Sequence, residues 1–431
     1  MKSHLVGIGG VGMSALAQAL LDCGGDVTGS DRLVDGGDAT PALARLRAQG
    51  VRLFPQDGTG VSAGADRVVV SSAIEEDNPD LVAARTSGIP VLHRAEALAQ
   101  AMEGRRLLAI AGTCGKSSVT AITGWILAGC GFDPMVVNGA GVVGWESPAR
   151  VGSTRKGAGE WAVFEADESD RSLMAFSPEL AVVTNASADH FPLAETEALF
   201  AAFRARVTRE ILDTGGGCAP QDVRLSGWSG RFSWEGTEYV VPLPGNHNVQ
   251  NAWMAVRAAL ACGAKPGPIA AALATFRGIE RRLERVGEAG GVTVVDDYAH
   301  NPAKLAAAWN TLAAAFPRVA AVWRPHGYAP LRKMKDALAD AFATAMRPGD
   351  FLCLLPVYDA GGTADRSINS DTLVEALQAR GANAVLAPGA ATAEALLLRH
   401  ASPGVVLATM GARDPDLPRL ARRLLDGLGP H

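Results

Sequence analysis

Along most of the chain, short runs of consecutive apolar residues alternate with longer stretches in which apolar positions return every three or four residues. The first pattern predicts buried strands and the second amphipathic helices. In strand–helix–strand succession they predict parallel sheets covered by helices, an α/β fold. In residues 1–105 the runs LVGIG, RVVVSSAI and GIPVLH predict strands, and MSALAQALLDCG and ATPALARLRAQG predict helices. A second alternation, 106–275, has strands at LLAIAG, WAVFEAD and LAVVTNAS and helices at SSVTAITGWILAGCG and NHNVQNAWMAVRAALACG. A third, 276–431, has strands at VTVVDDYAH, VAAVWRPHG, DFLCLLPVY, NAVLAP and GVVLATMGA. Three domains are expected. Each of these last strands ends in polar or glycine-rich residues, where open α/β sheets place their ligands.

Composition narrows the function more than the fold. With 40 Lys and Arg against 45 Asp and Glu, a net charge of -5, the chain offers no basic stripe for a phosphodiester backbone, so no nucleic acid partner is expected. The six cysteines are scattered, without a Cys-x-x-Cys pair, which predicts reduced thiols in a cytoplasmic protein. No uncharged apolar run approaches the roughly 18 residues of a membrane span, and no export signal opens the chain.

Four polar segments carry candidate chemistry. Gly7-Ile8-Gly9-Gly10-Val11-Gly12 satisfies G-x-G-x-x-G before a helix, with Asp31 about 20 residues on, as a dinucleotide site expects. The same turn serves any diphosphate, because exposed N–H groups and the helix dipole attract its charge. The second segment, AGTCGKSS, lacks the first glycine of the strict phosphate-loop pattern: Ile110 stands there. Its core survives at a strand-to-helix junction. Gly112, Thr113 and Gly115 let N–H groups curl around phosphate, Lys116 brings a charge, and Ser117 can reach Mg²⁺. The third and fourth, FEADESD (Glu165, Asp167, Glu168, Asp170) and TNASADH (Asn185, Asp189, His190), follow strands of the same domain and offer oxygen and imidazole ligands.

In this order the segments resemble the Mur ligase family, ATP-dependent amide-forming enzymes of peptidoglycan precursor synthesis, and among them the alanine-adding members. GIGGVGMSALA, AGTCGKSS, EADESD, VVTNASADH, GNHNVQNA, VDDYAH, RPHGY and ATMGARD carry the likeness. The family's loop is Gly-Thr-x-Gly-Lys-[Thr/Ser], so the missing glycine is its normal form. The resemblance implies a three-domain architecture. A Rossmann-like N-terminal domain would bind a UDP-N-acetylmuramate-type sugar nucleotide, a P-loop-type central domain ATP with Mg²⁺, and a Rossmann-like C-terminal domain an amino acid. It places Gly9, Gly10, Gly12 and Ser14 on the UDP diphosphate, with Asp31, Ser71, Ser72 and His93 around the sugar nucleotide. Gly112, Thr113, Gly115, Lys116, Ser117 and Ser118 would hold the ATP phosphates, Asn248 and Asn251 the adenine side, and Asp297 the nucleotide edge of the third domain. Ser117, Glu165 and His190 would hold the metal. Lys116, His190, Arg282 and His300 would be catalytic, His300 lining the acceptor pocket.

Three departures bear on the acceptor and on turnover. Cys114 and Ser117 stand where alanine-adding members have His and Thr. Pro325-His326-Gly327-Tyr328-Ala329-Pro330 stands where they have Pro-His-Arg-Tyr-Thr-Arg, whose arginines hold the amino acid carboxylate; Arg324, Arg332 and Lys333 are the nearby substitutes. In the same domain Asn301 likewise stands for a second His. The third departure is length: the stretch between His190 and Asn246 is short, with LDTGGGCAPQDVRLSGWSG replacing part of the central sheet. The readings left open are the alanine ligase, a relative adding another amino acid or a recycled peptide, and a weakened sugar-nucleotide-binding paralogue.

Overall fold

The run that opens the chain, Lys2–Val6, forms β1, buried from Ser3 onward. It lies at the middle of a five-stranded sheet with β2 (Asp26–Ser30), β3 (Arg52–Phe54), β4 (Arg67–Val70) and β5 (Val91–His93), in the order β3-β2-β1-β4-β5. All its pairings are parallel. In this computed structural model the described residues are all but 36–39, 188–190, 215–217, 360–364, 413 and 430–431. The chain divides into two compact units, Met1–Arg224 with Gly230–Arg277, and Leu225–Ser229 with Gly278–His431.

The first unit holds a second sheet, of β6 (Arg106–Ala111), β7 (Met135–Val137), β8 (Thr154–Arg155), β9 (Trp161–Glu165), β10 (Leu180–Val183) and β11 (Glu210–Asp213). Its order is β11-β10-β6-β9-β7-β8, parallel except for the β7–β8 pair. Leu108, Ile110 and their alanine neighbours are fully buried, because helices cover both faces of a parallel sheet and no alternation survives in its central strand. One apolar core runs through both sheets, from Leu5 and Leu16 to Ala109, Phe164 and Phe203. Arg150 joins them with a two-pronged bond to Asp22 at 2.8 and 2.6 Å.

Not every strand is parallel, as the apolar runs had suggested. β12 (Gln221–Ser226), β13 (Ser229–Trp234) and β14 (Thr237–Val241) form a three-stranded sheet, antiparallel between β13 and β14. Its second hairpin turns on Glu235-Gly236, both at positive φ (47° and 77°), the geometry of a two-residue turn that suits strand twist. The pattern hid β12, whose six residues are all exposed. This sheet occupies the shortened stretch, while β11 still completes the sheet before it.

The second unit has β15 (Glu284–Ala289), β16 (Val292–Asp297), β17 (Arg318–Trp323), β18 (Phe351–Leu354), β19 (Ala384–Leu386) and β20 (Val405–Met410), in the order β15-β16-β20-β17-β18-β19. β15 is antiparallel to β16 through a Gly290-Gly291 turn with φ of 56° and 72°. Its charged, half-exposed sequence, ERVGEA, gave no strand signal. The other pairings are parallel. Among the described residues no helix is long and apolar enough to cross a membrane.

Where β6 begins, Arg106 grips both oxygens of Glu179 at 2.9 and 2.6 Å, and Arg209 adds a bond at 3.0 Å. These guanidinium bonds, Arg106 foremost, hold the Glu179 carboxyl down at about 2. A carboxyl lowered on folding stabilises above its unfolded pKa, and that contribution disappears as pH falls through the folded value. Glu179→Gln should therefore lower the melting temperature at pH 7 by about 2 °C or less, the cluster being solvent-screened. The difference from wild type should fade between about pH 4.5 and pH 2, followed by calorimetry across that range.

Candidate active site

The register of the second sheet gathers three loops. Ile110 of β6 pairs with Glu165 of β9, and Ala111 of β6 with Val183 of β10, so the loops after these strands begin at one level. The loop after β6 is drawn tight against the loop after β10. Thr113 N donates to Asn185 O at 3.1 Å, and Ser187 N to Thr113 Oγ1 at 3.0 Å. The Asn185 amide closes a two-way pair with the backbone of Cys114, accepting from its N and donating to its O, each at 2.9 Å. Gly112 (φ 125°) has no room for a side chain, since a Cβ there would lie 2.1 Å from Thr184 Oγ1. Gly115 (φ 87°) caps the helix Lys116–Gly129, and its Cβ position is filled by Asn251 Oδ1. This bonding is through the Cys114 backbone; the Cys114 residue is exposed.

Two paired contacts stand on this loop. Lys116 Nζ donates to Gly112 O at 2.8 Å and to Glu168 Oε2 at 2.7 Å, with Asp167 Oδ1 at 4.0 Å. Ser117 Oγ donates to Glu165 Oε2 at 2.9 Å, and the same oxygen accepts Gly139 N at 2.9 Å. Glu168 is 2% exposed; burial pushes its carboxyl up, against the pull of Lys116. Its Oε1 is buried and has no hydrogen-bond partner among the described residues. Ser118 is half-buried in the first turn of the helix. Hence Gly112, Thr113, Gly115, Lys116, Ser117, Glu165 and Asn251 are brought together. Asn248 is buried and donates to Pro244 O at 2.8 Å. His190 and Asp189 lie outside the described residues.

After β1, Gly9 and Gly10 enter the helix Val11–Asp22. Asp31 Oδ2 accepts Gly9 N at 2.8 Å and Oδ1 accepts Leu33 N at 3.0 Å, so this carboxylate ties the glycine turn to the end of β2. Ser14 is buried and its hydroxyl turns back to Val11 O at 3.1 Å. Gly10 and Gly12 are exposed, as is Ser72, and Ser71 is half-buried. His93 caps the helix Arg94–Ala101, and its Nε2 lies 3.6 Å from Asp170 Oδ2.

In the second unit, Asp297 is buried with both oxygens on backbone: Oδ2 accepts Leu283 N and Oδ1 accepts Ala299 N, each at 2.7 Å. It thereby holds the turn that presents Arg282, which is exposed with its guanidinium 6.0 Å from the Tyr298 ring. Beside it, burial pushes Asp296 up to about 6, against Arg281 and Thr409. His300 Nδ1 is 2.9 Å from Tyr298 O, and its ring meets His326 edge-on at 5.0 Å. Of the nearby cations, Arg324 is bound to Asp414 at 2.7 Å and to Pro356 O. Arg332 is bound to Ser367 and Asp365, and Lys333 is exposed.

Residues 2–106 match the Mur ligase family catalytic domain and residues 281–413 the Mur ligase glutamate ligase domain. A UDP-N-acetylmuramate–L-alanine ligase of Cereibacter sphaeroides is 37% identical, over 95% of this chain and 93% of its own. The corresponding ligase of Nitrobacter winogradskyi is 36% identical, with 95% and 94% covered. The chain belongs to the Mur ligase family. The crystal structure of the UDP-N-acetylmuramate–alanine ligase of Thermotoga maritima superposes with a TM-score of 0.83 at 25% identity, covering 99% of both chains. A murein peptide ligase from Psychrobacter arcticus shares the fold, with a TM-score of 0.63 at 20% identity. This Mur ligase thus has the three-domain α/β fold of the family.

Some contributors gave no clear signal in the sequence. Gly139 acts through its backbone N–H, and Thr184 through a hydroxyl bonded to Cys114 O at 2.6 Å. Asn185 stood among the polar residues after a strand, but only the fold reveals its pairing with the loop. The crowding at Gly112 leads to a prediction. Gly112→Ala should lower the melting temperature by about 4 °C or more, since overpacking costs about 1–3 kcal/mol and positive φ adds strain. Gly24→Ala, at φ 80° but with nothing within 4 Å, should fall less. Thermal unfolding of the two variants gives the comparison.

Proposed function

We propose that this Mur ligase is an ATP-dependent acid–amino-acid ligase that joins the lactyl carboxylate of UDP-N-acetylmuramate to L-alanine or a related amino acid in the cytoplasm, for peptidoglycan precursor synthesis. The observation that carries this reading is the loop where Lys116 meets Glu168 and Ser117 meets Glu165. Identity to curated alanine ligases over nearly the whole chain supports it. ATP would convert the carboxylate into an acyl phosphate, so that a stable anion departs when the amine attacks.

What the residues must supply is alignment and charge neutralisation of two anions that repel each other. In this reading Gly112, Thr113, Gly115 and Ser118 cradle the triphosphate, Lys116 leaves Glu168 for its terminal oxygens, and Asn251 borders the loop. Ser117 and Glu165 are hard oxygens 2.9 Å apart, a fit for Mg²⁺, which takes its remaining ligands from phosphate and water. Among the described residues no group of three or more metal-binding side chains occurs; His190 is the third ligand proposed from its motif. Gly9, Gly10 and Gly12 form the UDP-diphosphate turn, Asp31 shapes it, and Ser71, Ser72 and His93 border it. In the second unit Arg282 and His300 are the proposed catalytic pair, with Asp297 supporting Arg282. The proposed division is 1–105, 106–275 and 276–431.

A different acceptor is the second reading. Gly327 and Pro330 offer no guanidinium, and Arg324 and Arg332 are already bound to carboxylates. The deciding assay is phosphate release from ATP with Mg²⁺ and UDP-N-acetylmuramate, screened across single amino acids and short peptides. Release that depends on L-alanine supports the first reading, and release with another acceptor the second. None with any acceptor removes the ligase assignment. Lys116→Ala should lower kcat at least about 100-fold, the scale of losing one charge-stabilising donor. Its affinity for UDP-N-acetylmuramate should remain within about threefold of wild type by calorimetry.

A further inference from the structure

We propose that Arg94 is a diphosphate ligand of the sugar-nucleotide site, aimed at the glycine turn by Asp167 and Asp170 from the segment that also holds Lys116. The proposal rests on reading Gly9–Gly12 as the diphosphate turn, and it adds a residue and a source of orientation which that reading lacks. Arg94 opens the helix that follows β5, on the far side of the first sheet's switch point from the Gly9–Gly12 loop. Its Nη1 faces Gly12, where a side-chain carbon would lie 3.4 Å from it. The helix Val11–Asp22 carries no acidic residue in its first turn, and Asp31 reaches the turn only at Gly9 N, away from Gly12.

The other terminal nitrogen, Nη2, is committed. Nη2 donates to Asp170 Oδ2 at 3.1 Å and to Asp167 Oδ2 at 3.4 Å. A guanidinium anchored by two carboxylates at one terminal nitrogen is limited in how it can turn, and its Nη1, on the side of Gly12, suits a phosphate. The Arg94 side chain is 25% exposed, open enough to receive a ligand, whereas Asp170 is 8% exposed and set in place. His93 reaches the same Asp170 oxygen at 3.6 Å, and Asp167 Oδ1 lies 4.0 Å from Lys116 Nζ. The acidic segment after β9 therefore touches the cation of the triphosphate loop on one side and the cation facing the glycine turn on the other. Anions at the two sites would be registered against one segment of chain.

A purely structural link between the two sheets would predict lost stability without lost phosphate affinity. The full-length protein is therefore titrated calorimetrically with UDP, UDP-N-acetylmuramate and uridine. Arg94→Ala should weaken both diphosphates about 10–100-fold, the worth of a charge-assisted bond, and leave uridine within about threefold. Arg94→Lys should recover part of the loss, and Asp170→Asn should weaken UDP about threefold or more by releasing the fork. Wild-type UDP affinity in Arg94→Ala, while Gly10→Val binds UDP poorly, overturns the proposal and spares the glycine turn. Wild-type affinity in both removes the turn as the diphosphate site, and the proposal with it. Should Arg94→Ala fail to fold, unchanged UDP affinity in both Arg94→Lys and Asp170→Asn overturns it.

Discussion

Lys116 carries a positive charge that is mostly withdrawn from water, and the surroundings of the loop are arranged to accommodate it. A half-buried ammonium needs a counter-charge and acceptors, and it finds both in Glu168 and the Gly112 carbonyl. Meeting that demand requires the loop after β6 and the loop after β9 to start level. The parallel pairing of Ile110 with Glu165 achieves this. The third side is closed by Asn185, which supplies donor and acceptor to the backbone of one residue of the loop, Cys114. Within the loop Lys116 and Glu168 answer each other's charge, and in the proposed reading Lys116 exchanges that carboxylate for phosphate.

This arrangement explains why the loop tolerates an unusual spelling. Hydrogen bonds to the Cys114 backbone, not to its side chain, hold that position, and Ser117 provides the hydroxyl that Thr would. Gly112 and Gly115 have no such freedom, since Thr184 and Asn251 occupy the space of their missing side chains. In the second unit the balance differs. Near Gly327, Arg324 and Arg332 are bound to acidic partners, whereas Lys333 is exposed.

Much of the fold was legible in the sequence because its physics is local. Buried parallel strands read as continuous apolar runs, as at Leu108–Ala111, and phosphate turns need glycine wherever φ is positive or space is absent. Among the strands that escaped, Gln221–Ser226 and Glu284–Ala289 are exposed or edge strands whose composition is that of a surface, whereas Asp26–Ser30 and Met135–Val137 are interior strands too short or too polar to stand out as apolar runs. Asp31 and Asp297 were legible as acidic residues beside ligand loops. Their orientation toward backbone N–H groups, which makes them supports of those loops, was not.

The sequence by itself determined the strand–helix alternation, the glycine turns, and the identities of Lys116, Ser117 and Glu165, because spacing and side-chain chemistry are properties of the chain. Tertiary structure alone decided which of these residues meet. Arg94 and Asp170 are far apart in sequence, and Asn185 and Cys114 likewise. Only sheet order and register bring such groups within hydrogen-bond reach, and hydrogen bonds, unlike hydrophobic pattern, depend on distances of a few tenths of an ångström.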